Sequence, residues 1–384
     1  MESTTPEPST AKPSGTPRPR AMVLVTGAGR SGTSSMAGTL NRLGLHVPEP
    51  VVGANKNNPR GHYEPQWVVD FHKKYLKEAG VGTMDGDPTA VALAEKVFDR
   101  ADVRGQIRDW LSRLPADGAD VVIKDPRTFW GAQTWTALAR EAGYDVRYLT
   151  MLRHPAEVVG SRSTHYSKAT TDEQHRREDV AHIAGWINAN VINEATTRGA
   201  KRAFVLYEDL LADWRRTLAP VSGALGLDLD RQLVAGTHHE VDDFIEPSLR
   251  RVVATWEGSD VPENLRALAD DAWTALVARA HGEIDDDELG TRLDVVRDAY
   301  AQLYDDSEII ASNRLTRQKS AARRAARRDA LAEATAKAAS AGATGSTGRT
   351  TSSVARQTEA IRASDLVKEV VRRGTSRVTG KRPS

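Results

Sequence analysis

The stretch VLVTGAGRSGTSS, residues 23–35, decides the fold because it joins a strand pattern to a helix pattern through a glycine-rich turn. The apolar run at residues 22–25 predicts a buried strand, and residues 34–43 have helical character. A strand that turns into a helix in this way points several backbone N–H groups and the positive end of the helix dipole at one spot. Glycine also lets a phosphate approach the backbone closely. The stretch therefore predicts a phosphate-binding loop.

This loop differs from the ATP-binding P-loop at one position. Gly27 and Gly32 have the G-x-x-x-x-G spacing, but Thr33 stands where the P-loop lysine is expected. Without that lysine the loop is poorly suited to γ-phosphoryl transfer from Mg-ATP. The glycines alone would also suit a plain tight turn. Phosphate binding is favoured by the hydrogen-bond donors at the same turn, which are Arg30, Ser31, Thr33 and Ser34.

Three further apolar runs indicate the rest of a sheet. They cover residues 121–123, 148–152 and 203–207, and each ends at charged or phosphate-suited residues. Segments with helical spacing, such as residues 134–142 and 179–197, separate them. Strands that alternate with helices predict an α/β, P-loop-type three-layer fold, with a mostly parallel sheet and helices on both faces. Ligands of such folds bind beyond the carboxyl ends of the strands.

Charge is distributed unevenly along the 384 residues. Lys+Arg total 53 and Asp+Glu total 52, but residues 312–384 hold 17 basic and 5 acidic residues. The body, residues 21–311, is consequently acidic, which argues against nucleic acid as its partner. Residues 1–20 are predicted to be a disordered leader. Residues 312–384 are predicted to be a basic low-complexity tail, disordered or partly helical. That tail either contacts an anionic membrane surface or polyanion, or is simply solvated.

The C-terminal third predicts a helical extension. Helices are expected over residues 262–281 and 287–303, with others at 314–339 and 365–373. The chain has no cysteine, and no apolar run approaches the roughly 18–20 residues that span a bilayer. The N-terminus lacks the apolar segment of a secretory signal. We therefore expect a cytoplasmic protein.

Three motifs together resemble one known family. GAGRSGTSS (residues 27–35) resembles the 5′-phosphosulfate loop of sulfotransferases that use 3′-phosphoadenosine 5′-phosphosulfate (PAPS), in the branch with Arg-Ser-Gly-Thr, which includes many bacterial enzymes. MLRHPAEVVGSRS (residues 151–163) and the YEDL segment (residues 207–210) are similar to two further motifs of that family. The resemblance covers residues 23–251.

The resemblance implies how PAPS, and the product 3′-phosphoadenosine 5′-phosphate (PAP), would be held. Arg153 and Ser161 would bind the 3′-phosphate, for which the planar guanidinium is well suited. The segment 244–252 resembles the loop that closes over the nucleotide, where Arg250 or Arg251 would reach the 3′-phosphate. The R-K-G-x-x-G-D segment of the animal cytosolic branch is missing. The implied cofactor-binding residues are Gly29, Arg30, Ser31, Gly32, Thr33, Ser34, Arg153, Ser161, Tyr207 and Arg251.

Sulfuryl transfer requires charge stabilisation on the leaving phosphate and removal of a proton from the acceptor hydroxyl. Arg30 is the expected donor to the leaving phosphate, and no metal is required in principle. The family resemblance implies that Lys124, in IKDPR, faces the sulfuryl group. The hydroxyl-bearing acceptor stays open between a saccharide, a lipid-linked glycan, a small metabolite and a peptide tyrosine.

The catalytic base is expected in NKNNPRGHYEP, residues 55–65, which resembles the acceptor-side loop of related bacterial enzymes. Glu64 is the favoured base. His62 competes with it, since imidazole titrates near neutrality, and Glu49 and Asp125 are weaker candidates. The aromatic residues of this region are predicted to be core rather than acceptor contacts: Tyr63, Trp67, Phe129, Trp130 and Trp135.

Two other functions remain open at this point. A P-loop nucleotide kinase or NTPase with a degenerate Walker A loop is supported by the glycine spacing and by Asp125, which ends an apolar run as a Walker B carboxylate does. A non-catalytic nucleotide-binding adaptor, acting through the basic tail, is the second alternative.

Overall fold

A parallel sheet is the centre of the structure. The computed structural model describes residues 20–55, 58–114, 119–167, 169–229, 232–234, 236–246, 255–257 and 259–343. Within these residues, the four predicted apolar runs are four strands: β1 (Arg20–Thr26), β2 (Val121–Lys124), β3 (Tyr144–Leu152) and β4 (Lys201–Leu206). The strands are all parallel, in the order β2-β1-β3-β4. The predicted fold class is confirmed.

Side chains of each strand alternate between two hydrophobic cores, one on each face of the sheet. Met22 and Leu24 point into the larger core, whereas Val23 and Val25 point into the smaller one, as the two-residue period of a strand requires. All four side chains are fully buried. Because both faces are covered, strands of this sheet read as continuous apolar runs rather than as alternating ones.

Helices cover both faces. Their bounds are α1 (Thr33–Arg42), α2 (Gln66–Ala79), α3 (Ala90–Phe98), α4 (Ala101–Leu111), α5 (Ala132–Glu141), α6 (Pro155–Tyr166), α7 (Asp172–Thr197), α8 (Tyr207–Ala212), α9 (Trp214–Leu225), α10 (Glu240–Phe244), α11 (Glu263–Ala280) and α12 (Asp286–Ala343), with a 3-10 turn at Thr128–Gly131. Side chains of α1, α8, α9 and α10 line the smaller core, and α2 to α7 and α11 contribute to the larger one.

Among the boundaries that differ from the sequence prediction, two have clear local reasons. Helix α7 begins seven residues before the predicted start at 179, because the side chain of Thr171 accepts a hydrogen bond from the Gln174 N–H and caps it. Strand β4 ends at Leu206, and Tyr207 already begins α8, where Glu208 and Asp209 favour a helix N-terminus.

The chain divides into two compact units, Met1–Tyr304 and Asp305–Ser384. The predicted helices over residues 287–303 and 314–339 lie within α12. Residues 1–19 of the predicted leader and the predicted helix at 365–373 lie outside the described residues. Among the residues that the structure describes, no helix is both long and apolar enough to cross a bilayer.

Candidate active site

The loop between β1 and α1 is packed tightly against neighbouring residues. Gly27, Arg30 and Gly32 have positive φ angles of 128°, 79° and 86°. A Cβ atom on Gly27 would clash with the Met151 carbonyl, and one on Gly32 would clash with the ring of Tyr207. Arg30 adopts a backbone conformation that is uncommon for a residue with a side chain, and such conformations concentrate at functional sites.

The start of α1 leaves backbone donors for an anion. Its N-cap is Gly32, which has no side chain to offer to the N–H groups of the first turn. Within the loop, the Ser31 hydroxyl is buried and has no hydrogen-bond partner among the described residues. An unsatisfied buried hydroxyl next to open helix N–H groups is consistent with a site that an anion completes.

Two arginines from distant parts of the chain meet at this loop. The Arg30 Nε donates to Ser161 Oγ at 3.1 Å, and Arg153 Nη1 donates to the Arg30 carbonyl at 3.1 Å. Arg153 lies at the end of β3 and Ser161 two turns along α6. Arg153 also donates from Nε to Glu157 Oε2 at 2.8 Å, in a buried ion pair. This pair holds the guanidinium in place beside the loop.

Tyr207, which directly follows β4, packs beside the group formed by Arg30, Arg153 and Ser161. Its ring packs against Gly32, and the Arg153 guanidinium lies 5.2 Å from the ring centroid. A cavity of about 100 Å³ opens beside it, lined by Leu152, Arg153, His154, Glu157, Leu206, Tyr207, Glu208 and Trp273. The carboxyl ends of β3 and β4 therefore contribute to one site, as expected for a parallel sheet.

Lys124 and Glu64 form a buried ion pair on the other side of the loop. The Lys124 ammonium contacts the Glu64 carboxylate and also donates to Ser34 Oγ at 3.1 Å. The exposed fractions of the two side chains are 3% and 9%. A charge pair this deeply buried requires close geometry to offset its desolvation. The pair links the end of β2, the first turn of α1 and the predicted acceptor-side loop.

His62 lies near this pair. Its Nε2 is 2.9 Å from the side-chain amide nitrogen, Nδ2, of Asn55. Burial is the largest cause that lowers the pKa of His62 below its ordinary value of 6.5; Lys124 and Arg30 lower it further, and Glu64 opposes them. The lowered pKa favours the neutral imidazole, and His62 lies close enough to Glu64, Lys124 and Arg30 for each of these charges to affect its pKa.

Comparison with known proteins places the chain in a family. A sequence profile described as the sulfotransferase family matches residues 22–231, which is more than half of the chain. The chain belongs to the sulfotransferase family. No curated protein matches it.

Solved structures similar to this sulfotransferase include three sulfotransferases. The sulfotransferase domain from the Synechococcus PCC 7002 olefin synthase is 20% identical, with a TM-score of 0.38, over 66% of this chain and 94% of that chain. The sulfotransferase domain from the curacin biosynthetic pathway is 13% identical, with a TM-score of 0.37, over 65% and 96%. Sulfotransferase STF1 from Mycobacterium tuberculosis H37Rv is 17% identical, with a TM-score of 0.31, over 61% and 76%.

The sulfotransferase site has a supporting network that the sequence did not reveal. Trp135 donates from its indole N–H to His72 Nε2 at 2.9 Å, so the His72 proton lies on Nδ1 and is donated to Asp125 Oδ2 at 3.0 Å. The other Asp125 oxygen accepts from Arg127 at 2.7 Å. No local motif marks His72, because its partners lie 53 and 63 residues away.

Both carboxylate oxygens of Asp125 are hydrogen-bonded within this sulfotransferase. Burial alone would raise its pKa, but His72 and then Arg127 outweigh burial and hold that pKa well below its usual range. With both oxygens bonded to the protein, Asp125 is poorly placed to act as a base or as a metal-binding Walker B carboxylate. Glu49, the other weak candidate, is exposed.

The remaining predicted residues fall into two groups. Phe129, Trp130 and Trp135 are buried core residues, and Trp67 packs between the rings of Phe71 and Trp110. Arg250 and Arg251, with most of the predicted closing loop, lie outside the described residues.

Proposed function

We propose that this chain transfers the sulfuryl group of PAPS to a hydroxyl of an acceptor substrate and releases PAP. The observation that supports the proposal most is the meeting of Arg30, Arg153 and Ser161 in one hydrogen-bonded group. Arg30 belongs to the loop and is 123 positions from Arg153 and 131 from Ser161 in the chain, yet the three residues meet there. Two guanidinium groups at one loop suit a ligand with two separate phosphates.

The residues around the loop fit such a donor. The N–H groups at the start of α1, with Ser31, Thr33 and Ser34, would hold the 5′-phosphosulfate. Arg153 and Ser161 would hold the 3′-phosphate, and Tyr207 would lie against the nucleotide. At Gly29 a Cβ atom would make only ordinary contacts, with Met84 Sδ at 3.5 Å and Arg162 Nη1 at 3.7 Å, so the packing does not by itself require glycine there.

The proposed chemistry is an in-line displacement at sulfur. The acceptor oxygen forms a bond to sulfur while the bond from sulfur to the 5′-phosphate oxygen breaks, and the acceptor proton passes to Glu64. Arg30 and Lys124 stabilise the charge that develops on the departing phosphate and the sulfuryl group. Glu64 and Lys124 already touch, so the base and the cation occupy adjacent positions.

The kinase or NTPase alternative is not favoured. Thr33 replaces the lysine of the Walker A loop, and the carboxylate of Asp125 is occupied by His72 and Arg127. The adaptor alternative makes a distinct prediction, because it requires nucleotide binding without sulfate transfer.

Thermal unfolding distinguishes the nucleotide that the chain binds. PAP at about 100 times its Kd is expected to stabilise the chain by about 2.7 kcal/mol and to raise Tm by several degrees. ATP with Mg²⁺ at the same concentration is expected to raise Tm much less. Stabilisation by ATP with Mg²⁺ but not by PAP would overturn the proposal.

A transfer screen distinguishes the enzyme from the adaptor. Radiolabelled PAPS is incubated with the chain and with saccharides, lipid-linked glycans, small hydroxylated metabolites or tyrosine peptides. Incorporation of label into one of these classes, absent for Arg30→Ala, is the expected result. PAP binding without incorporation into any acceptor would favour the adaptor.

We also propose that the segment 312–384 is a separate basic tail that contacts an anionic surface. Its described part, up to Ala343, belongs to α12 and is basic on an exposed surface, through Arg314, Arg317, Lys319, Arg323, Arg324, Arg327 and Arg328. Clustered exposed cations are attracted to anionic lipid headgroups within a Debye length.

Vesicle co-sedimentation tests the tail. The full chain is expected to bind phosphatidylserine vesicles at low salt and to be released at about 1 M salt, where the Debye length is about 3 Å. A chain that ends at Ala311 is the control and is expected to stay in the supernatant. Equal sedimentation of the two chains would contradict the proposal. The cytoplasmic location of the protein is a separate point, and it stays a prediction.

A further inference from the structure

One face of helix α1 packs against the loop that contains Glu64. Ser34, Gly38 and Arg42 recur at intervals of four residues and therefore lie above one another on the same side of the helix. Ser34 is linked to Glu64 through the Lys124 ammonium, which contacts both. Gly38 and Arg42 contact the residue that directly precedes Glu64.

That residue, Tyr63, has an unusual backbone. Its φ is 52°, in the left-handed region that a bulky side chain rarely occupies. Such a conformation persists only where the surrounding structure holds it, and it is characteristic of functional sites. The backbone torsion of Tyr63 determines the direction in which the next residue, Glu64, leaves the loop.

Contacts on the ring of Tyr63 hold this conformation. Arg42 Nη1 donates to the Tyr63 hydroxyl at 2.9 Å, and the ring meets Phe244 edge-on with centroids 5.7 Å apart. The Arg42 guanidinium also lies 3.9 Å from the Phe244 ring centroid. Gly38 provides the space, because a Cβ atom there would clash with Phe244 and lie 2.7 Å from the Tyr63 ring.

The same loop is held at a second point. Arg60 Nη2 donates to Glu246 Oε1 at 2.6 Å, and its Nη1 contacts the Phe244 carbonyl. Phe244 ends α10, so the acceptor-side loop is joined to this helix both through Arg60 and through Tyr63.

We propose that Tyr63 is a positioning residue for sulfuryl transfer. Gly38, Arg42, Tyr63 and Phe244, here the Tyr63 latch, fix the left-handed turn that directs the Glu64 carboxylate onto Lys124. This inference rests on the proposed function in one respect, because it takes Glu64 to be the base. The contact between Glu64 and Lys124 that the latch maintains does not depend on the substrate.

The first experiment needs neither donor nor acceptor. The rate at which acetic anhydride acylates Lys124 is measured by mass spectrometry in Gly38→Ala and in Gly105→Ala. Gly105 is a matched control, because it lies within α4 and a Cβ atom there meets nothing within 4 Å. Gly38→Ala is expected to raise the rate several-fold, since a displaced Glu64 uncovers the amine, and Gly105→Ala is expected to leave it unchanged.

Tyr63→Phe is a more conservative substitution than Gly38→Ala and is measured in the same acylation assay. It removes only the hydroxyl that accepts from Arg42, so it leaves the fold intact even if Gly38→Ala impairs folding. A smaller increase in Lys124 acylation is expected. Unchanged acylation in Tyr63→Phe, together with unchanged acylation in a folded Gly38→Ala, would overturn the proposal.

A double-mutant cycle tests the catalytic consequence. Loss of one hydrogen bond predicts that Tyr63→Phe lowers kcat by about 3- to 10-fold, with PAP affinity unchanged. In a Glu64→Gln background the same change is expected to cost almost nothing, because the residue that it positions has lost its role. Equal losses in both backgrounds would refute positioning of Glu64.

The two proposals fail in different ways. If the chain neither binds PAP nor transfers sulfate, the proposed function fails, and the acylation rates still decide whether the latch holds Glu64 against Lys124. If sulfate transfer is found but the cycle is additive, the function stands and the latch proposal falls.

Discussion

Replacing Glu64 by glutamine is expected to lower kcat for sulfate transfer by about 10²- to 10⁴-fold, the usual contribution of a general base. Glutamine keeps the shape of the side chain and an oxygen for Lys124, but it cannot take the acceptor proton. PAP affinity is expected to stay the same, because Glu64 touches Lys124 rather than the arginines. Steady-state kinetics and a PAP titration measure the two quantities separately.

Glu78→Gln is the control for this experiment, since Glu78 pairs with Arg100 at the surface. A loss below about tenfold in Glu64→Gln would move the role of base to His62.

The pH dependence separates the two candidate bases. Burial lowers the pKa of His62 below 6.5 and so favours its neutral form. A histidine base is active when neutral; if His62 is the base, kcat falls only as the pH drops through that lowered pKa. His62→Gln would then remove this acidic limb together with most of the activity. If Glu64 is the base, we expect His62→Gln to retain most of the activity and the pH profile of the parent chain.

Replacing Arg153 by glutamine is expected to weaken PAP binding by about 10²-fold or more, because two charge-assisted hydrogen bonds are each worth about 1.5–3 kcal/mol. Stability is expected to fall as well. Arg153 pairs with Glu157, which is 2% exposed, and breaking a buried ion pair by removing one member costs about 3–5 kcal/mol. Calorimetric titration with PAP and urea unfolding measure the two effects.

The same strand offers a matched control. Arg147 is a buried arginine within β3, the strand that Arg153 directly follows, but it pairs with Asp145 towards the other end of that strand. Arg147→Gln is expected to lower stability and to leave PAP affinity unchanged. The double variant Arg153→Gln with Glu157→Gln is expected to recover stability without recovering PAP affinity. PAP affinity within about threefold of the parent chain in Arg153→Gln, less than 1 kcal/mol, would contradict the assigned role.

Local sequence patterns were sufficient to predict the sheet and the glycine-rich loop between β1 and α1. The apolar runs predicted all four described strands, because both faces of a parallel sheet are buried and each strand contains a mostly apolar run. The glycines and Arg30 predicted the loop, because positive φ angles and anion-binding donors at a helix start leave a local signature. Arg153 and Ser161 were found through a motif within a single strand–helix unit.

Contacts between distant segments had no such signature. The sequence offered Lys124 and Glu64 as separate candidates, and only the structure places them in contact, 60 residues apart. His72 was not predicted at all, and Asp125, a candidate base and Walker B residue on local pattern, is bonded to it.

By itself the sequence determined the α/β fold class and the glycine-rich loop between β1 and α1, and it predicted the end of the sheet at which the site lies, since these depend on periodicity and on residues close together in the chain. The tertiary structure alone decided that Arg30 is hydrogen-bonded directly to Arg153 and Ser161, and that Lys124 contacts Glu64. It also decided that Tyr63 is held in a strained turn. The physical reason is that burial, ion pairing and close packing depend on which segments meet in space, and that is not encoded at any one position of the chain.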